Sequence, residues 1–436
     1  MSVPLDRLYH YLADIVNHDL VIYRWMPHGS RKLEDLTSLH SYSWNQSMTY
    51  PLMICHDQES LIFDYYTRDQ INQQVINYYS ANNLLSLAND LVAGHRADMH
   101  IRGAAINSSL NLYDKTLLLH SELNSTEVEK YKAADFIPVY YWSHALIAKD
   151  WFRYAEHDPE LKFSPDQIDC DFLIYNRAWS GVREYRLKFT EHLVNHKLIS
   201  YCHTSFNPVD NLIHYKDHQF VNSELAIKNY TLDQYLPENS HNSSSSADYN
   251  NQDYKHCAME IVLETLFDDS RWHLTEKTLR PIACGKPFIL MSTPGSLQYL
   301  KQYGFKTFDA YIDESYDQIN NSCDRMQAVI AEMKRISALD KDKKNALWNS
   351  LNDIAQYNKK VFFKYLQTQV VDEYIVNLNF AMTEIKKYCT GKHHYDSLKL
   401  FPYGSKEADW VNRENNINVN LYPLQIEQWL EQCRSR

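Results

Sequence analysis

Glu276 and Lys277 set an acid beside a base, directly after Thr275, in the middle of the stretch 271–317. Thr275 predicts a helix N-cap, because its hydroxyl can accept from the first free backbone N–H groups. A helix start already favours anions through those N–H groups and the helix dipole. Lys277 there would neutralise a phosphate, and Glu276 would accept hydrogen bonds from a ribose diol, as acidic residues do in dinucleotide sites. The competing reading is a capped surface helix with an exposed Glu-Lys pair.

Other clusters sit where predicted strands end. His56-Asp57-Gln58-Glu59-Ser60 follows the buried strand 50–55. In an α/β sheet that edge projects catalytic side chains, so Glu59 first and Asp57 second are the candidate general bases; otherwise the segment is a polar loop. His120-Ser121-Glu122-Leu123-Asn124-Ser125 follows the strand 115–120. Ser121, Glu122 and Asn124 could bind an acceptor hydroxyl, or Ser125 could cap a helix from Thr126. Ser143-His144 ends the strand 136–142. Arg177, Arg183 and Arg186 follow the strand 171–175 and suit a diphosphate clamp, since guanidinium forks pair bidentately with phosphate; Arg183 and Arg186, three apart, would share one helix face. Solvated helix charge is the alternative. Glu264 stands one step ahead of the Thr275 motif.

The elements that position these groups alternate. In 271–317 the order is helix, buried strand 287–291, helix, strand 305–308, helix, with Gly285 as a left-handed helix stop. That alternation belongs to an open α/β sheet, whose ligands lie beyond the carboxyl ends of the strands. Residues 155–168, polar with two prolines, read as an interdomain linker. Residues 240–253 are low-complexity and read as a mobile insertion. Beyond 317 the pattern is helical, with Lys341-Asp342-Lys343-Lys344 as a solvated joint.

The chain has 436 residues, enough for two ordinary domains, with 44% hydrophobic and 23% charged residues. The 8 cysteines show no CxxC or finger spacing and read as reduced thiols of a cytoplasmic protein. No run reaches the ~18–20 apolar residues of a membrane span. A net charge of -11 argues against a broad nucleic-acid-binding surface. Asp169-Cys170-Asp171 has the Asp-x-Asp form of a carboxylate metal site, but it precedes a strand rather than following one, so no metal is predicted. The 20 histidines lack ligand spacing.

The run TEKTLRPIACGKPFIL, continued by PGSLQYLKQYGFKTFDAYIDESYD, closely resembles glycosyltransferases encoded by tailed phages. Their C-terminal part is similar to the donor-binding domain of the α1,3-fucosyltransferases, which carry a comparable Thr-Glu-Lys helix start and a Glu-Ser-Pro motif comparable to Glu59-Ser60. The resemblance implies an α/β, GT-B architecture of two Rossmann-like domains with a cleft between them. The expected division is 1–160 on the acceptor side, 168–340 binding the nucleotide sugar, and a helical tail 341–436 packing back towards the first domain. Glu276 would bind the donor ribose and Lys277 its diphosphate, with Thr275, Arg177, Arg183, Arg186 and Glu264 around them. His56, Ser121, Glu122 and His144 would serve the acceptor. The co-substrate would be a UDP- or GDP-linked sugar, with no other cofactor and no required metal. The phage resemblance suggests hydroxymethylated cytosine in double-stranded DNA as acceptor; the alternatives are a carbohydrate or surface glycan, or a non-catalytic nucleotide-sugar-binding protein.

Overall fold

The computed structural model describes residues 8, 12, 21–25, 34–35, 51–56, 60–61, 63, 115–237 and 246–387. They fall into two compact units: residues up to 143 together with 370–387, and residues 144–369.

The first unit holds a five-stranded sheet in the order β2-β1-β3-β4-β5, with β1 Val21–Trp25, β2 Glu34–Asp35, β3 Leu52–His56, β4 Thr116–His120 and β5 Phe136–Tyr140. Only β1 and β2 pair antiparallel; the rest of the sheet is parallel. Parallel strands covered on both faces read as continuous apolar runs, and β3 and β4 are buried along their whole length. Helix Gln367–Lys386 buries Tyr374, Leu378, Ala381 and Ile385, a stripe at helical spacing. From this stripe the Tyr374 ring meets Tyr141 at 5.9 Å, and Asn377 Nδ2 donates to the Tyr140 carbonyl at 2.9 Å.

The second unit is built on a four-stranded parallel sheet, β11-β10-β6-β7, comprising β6 Cys170–Ile174, β7 Cys202–Thr204, β10 Cys257–Leu263 and β11 Phe288–Met291. A two-stranded hairpin, β8 Val209–Asp210 with β9 Ile213–His214, lies between β7 and β10 in the chain. Its turn residues Asn211 and Leu212 have φ of 49° and 66°, the left-handed pair a two-residue hairpin requires. Helix Glu276–Cys284 links β10 to β11 and stops at Gly285, where φ is 68°. Eight of its nine residues are buried. A helix apolar on one face alone would not tolerate that, and this one brings an ion pair with it. Arg280 Nη2 meets Glu260 of β10 at 2.6 Å, Tyr254 donates its hydroxyl to the other Glu260 oxygen, and the guanidinium lies 4.3 Å from the Tyr175 ring centroid. A charged residue in the middle of a buried strand needs such a partner.

Several expectations need correction. Residues 305–308 are not a strand. Asn358 of helix Lys341–Val361 accepts from the Lys306 N–H at 2.8 Å and donates to its carbonyl at 2.8 Å, so one buried amide takes the backbone bonds a neighbouring strand would have made. Lys341-Asp342-Lys343-Lys344 is no joint: it opens that helix, Asp340 capping the Lys343 N–H at 2.9 Å and Lys344 pairing with Asp171 at 2.6 Å. The stretch 155–168 lies inside the 144–369 unit as three 3-10 turns that bury Ala155 and Leu161. Residues 341–369 also group with that unit and 370–387 with the first, so the chain passes between the units at 143/144 and 369/370. Of the stretch 240–253, residues 240–245 lie outside the described residues; in the remainder Tyr249 and Asn251 both donate to Asp158 at 3.1 Å and Asn250 caps helix Asn251–His256. Among the described residues no helix is long and apolar enough to cross a membrane.

Candidate functional site

Because the second sheet is parallel, the loops after β6, β10 and β11 emerge on one edge, and the chain stitches them together there. Arg186 donates to the carbonyls of Ala178 at 2.7 Å, Leu263 at 2.6 Å and Glu264 at 3.0 Å, joining the loop after β6 to the end of β10. Thr293, after β11, donates to the Arg271 carbonyl at 2.8 Å, and Trp272 Nε1 donates to the Pro294 carbonyl at 2.8 Å. Gly295 adopts φ 82° against the Trp272 ring, where a Cβ would come within 2.9 Å of Cζ2. Only glycine suits both the backbone and that approach.

Glu264 closes β10 and supports the helix start beneath the motif. Its Oε1 accepts from the Thr275 N–H at 2.9 Å, the Thr278 hydroxyl at 2.6 Å and the Thr278 N–H at 3.3 Å. Its Oε2 accepts from the Thr265 N–H at 2.9 Å and the Thr275 hydroxyl at 2.8 Å. Burial pushes this carboxyl up, but Lys277 and the threonine donors outweigh it and hold it below its ordinary value. With five donors on two oxygens, Glu264 has the geometry of a brace for the helix, not of an expected donor ligand.

Above it stands the acid–base pair. Thr275 caps the helix by accepting from the Lys277 N–H at 3.4 Å. Lys277 Nζ lies 2.8 Å from Glu276 Oε1, 3.2 Å from Thr275 Oγ1 and 3.4 Å from Thr265 Oγ1. Glu276 Oε2 faces His144 Nδ1 at 3.3 Å, and the His144 ring meets the His273 ring edge-on at 5.5 Å. Glu276, His144 and His273 are all buried. Burial again opposes ionisation of Glu276, yet Lys277 and His144 hold it well below the usual carboxylate range. The surface-pair reading therefore fails: this is an ionised carboxylate set into the sheet edge beside an ammonium that is 19% exposed.

Comparison with protein-family models, curated proteins and solved structures found no match.

The three expected clamp arginines separate. Arg186 is buried and occupied by carbonyls, so it fastens loops and offers no fork to a phosphate. Nor does it share a helix face with Arg183: Arg183 ends the 3-10 turn Gly181–Arg183 and Arg186 lies in helix Tyr185–Asn195. Arg177 and Arg183 are half-buried in the loop after β6. That loop is fixed by Asp210 of the hairpin, whose Oδ2 accepts from the Trp179 and Ser180 N–H groups at 2.7 and 2.6 Å.

In the first unit the carboxyl edge carries His56, His120, Ser121 and Glu122, all buried. Glu122 accepts from the Leu61 N–H at 2.5 Å and from the Ser125 hydroxyl at 2.6 Å, and Ser125 caps helix Thr126–Ala133 through the Val128 N–H. Ser121 Oγ accepts from the Ser143 N–H at 3.1 Å. These contacts give Ser121 and Glu122 loop-fixing work in place of an open acceptor face. His120, which the sequence reading left without a role, lies beside His56; burial foremost, then His56 and Lys132, pushes its pKa down to about 3. Asp57 and Glu59 lie outside the described residues. Asp169 and Asp171, at the start of β6, pair with His256 at 2.9 Å and Lys344 at 2.6 Å.

Sequence reading missed three contributors: the Glu260–Arg280 pair, His273, and the contact of His144 with Glu276. A lone glutamate inside the apolar strand Cys257–Leu263 signals the first of these. The His144 contact spans 132 residues, 144 to 276, and local pattern carries no trace of it.

Proposed function

We propose that this chain is a nucleotide-sugar-dependent glycosyltransferase of the GT-B class, inverting and metal-independent. The observation that carries the reading is the buried, ionised Glu276 beside Lys277 at a capped helix start on the carboxyl edge of a parallel sheet. In this reading Glu276 accepts the ribose hydroxyls of the donor. Lys277, with Arg177 and Arg183, stabilises the diphosphate as it leaves the anomeric carbon. Glu59, with Asp57 second, takes the proton of the attacking acceptor hydroxyl. The favoured acceptor is hydroxymethylated cytosine in DNA, as the sequence resemblance suggests.

The full chain is incubated with UDP- and GDP-sugars and hydroxymethylcytosine DNA, and the digested nucleosides are weighed. A gain of one sugar residue supports the reading in full. Transfer to glycan acceptors alone moves the acceptor, and donor binding without transfer or hydrolysis leaves a binding protein. Glu276→Gln should weaken nucleotide binding by on the order of 10- to 100-fold, the worth of charge-assisted hydrogen bonds. No binding of any nucleotide sugar by the wild-type chain overturns the proposal.

A further inference from the structure

We infer that His144 is a positioning residue for the donor ribose: it holds Oε2 of Glu276 while Lys277 holds Oε1, so that the remaining lone pairs face a vicinal diol. The inference rests on the glycosyltransferase reading of Glu276 and deepens it. An ionised carboxylate has about four acceptor sites on its two oxygens. Here one oxygen is engaged by Lys277 Nζ at 2.8 Å and the other by His144 Nδ1 at 3.3 Å. A ribose presents two neighbouring hydroxyl donors, one for each oxygen. Anchored from one side only, the flexible glutamate side chain would swing towards Lys277 and lose the orientation that receives both hydroxyls, at a cost in rotamer freedom on each binding event.

His144 is suited to the task by its own confinement. It is buried near the start of helix Ser143–Trp151, and the buried His273 ring packs against it in a T-shaped contact, with 81° between the planes. The neighbouring ring restricts the His144 imidazole, whose Nδ1 lies 3.3 Å from Glu276 Oε2. His273 stands two residues before Thr275, so the loop that presents the helix cap also carries the ring that orients His144. The chemical consequence is selectivity for ribonucleotides over nucleotides lacking the diol, since buried acceptors left unmatched discriminate strongly.

The test is calorimetric binding of UDP and GDP and of their 2′,3′-dideoxy counterparts to the full chain. Wild type should prefer the ribonucleotides. His144→Ala should reduce ribonucleotide affinity about tenfold more than dideoxynucleotide affinity, the value of one hydrogen bond to a charged group. His144→Asn, whose amide nitrogen replaces Nδ1, should keep the preference, and His144→Gln, whose amide reaches the position of Nε2, should lose it. A merely structural histidine would lower both affinities equally, and that result overturns the inference, as does an undiminished preference in His144→Gln. If His144→Ala does not fold, the Asn and Gln pair decides alone. If wild type binds no nucleoside diphosphate, the glycosyltransferase reading itself falls. If it binds both kinds equally, this inference and the ribose role of Glu276 fall together, while the transfer assay still decides the glycosyltransferase reading.

Discussion

Replacing Glu264 by glutamine separates a structural carboxylate from a ligand. In the native protein its two oxygens receive five donors at 2.6–3.3 Å within a fully buried site. A glutamine keeps one acceptor and turns the other into a donor. The less damaging orientation retains Oε1 with Thr275 and Thr278 and places the amide against the Thr265 N–H and the Thr275 hydroxyl. The hydroxyl can rotate and accept, but the Thr265 N–H cannot, and one orphaned buried donor costs about 1–3 kcal/mol. Loss of the negative charge near Lys277 adds to this. Glu264→Gln should therefore lower unfolding free energy by about 2 kcal/mol, read from urea midpoints at constant m-value. Glu264→Ala should cost more, as five donors lose their acceptor. If Glu264→Gln shifts stability by less than about 0.5 kcal/mol while abolishing nucleotide binding, the brace argument is wrong and the carboxylate belongs to the ligand.

Two further outcomes follow from buried charge. Arg280→Met strands Glu260 and should cost about 3–5 kcal/mol, whereas the double change Arg280→Met with Glu260→Leu should recover much of it in the same urea titration. Glu314 has its pKa raised from 4.5 to about 7, chiefly by burial, although it accepts from the Phe308 N–H at 2.6 Å. The folded state thus holds a proton that the unfolded state releases, so this carboxyl disfavours folding as pH rises from 4.5 through 7. Glu314→Gln keeps the acceptor oxygen and should exceed wild-type stability by up to about 3 kcal/mol at pH 8, the difference fading by pH 4.5; thermal melts across that range check it.

Local pattern carried much of the second sheet. Apolar runs marked β6 and β11, Thr275 marked a cap that its hydroxyl fulfils, and Gly285 marked a left-handed stop. Failures came where a side chain substitutes for backbone or reaches across the chain. Phe305 to Phe308 has the composition of a strand, but Asn358, some fifty residues away, completes its hydrogen bonds. Arg186 has the chemistry of a phosphate fork, but three carbonyls consume it. Residue type gives the capacity of a group, and only the fold says which partner uses it. The candidate site divides likewise. Glu276 and Lys277 were legible because a helix start is a local object, and His144 was assigned to the acceptor because its distance from Glu276 in space is not written in its neighbours.

The five-donor carboxylate under the Thr275 helix has a thermodynamic consequence for whatever binds above it. A helix start held from below is ordered before any ligand arrives, so the Glu276–Lys277 pair carries no folding equilibrium of its own. An arriving anion meets a single competent population, and its apparent dissociation constant is not raised by a fraction of molecules waiting in another shape. Association at this edge should be limited by encounter and desolvation, with the entropy of ordering already spent when the protein folded.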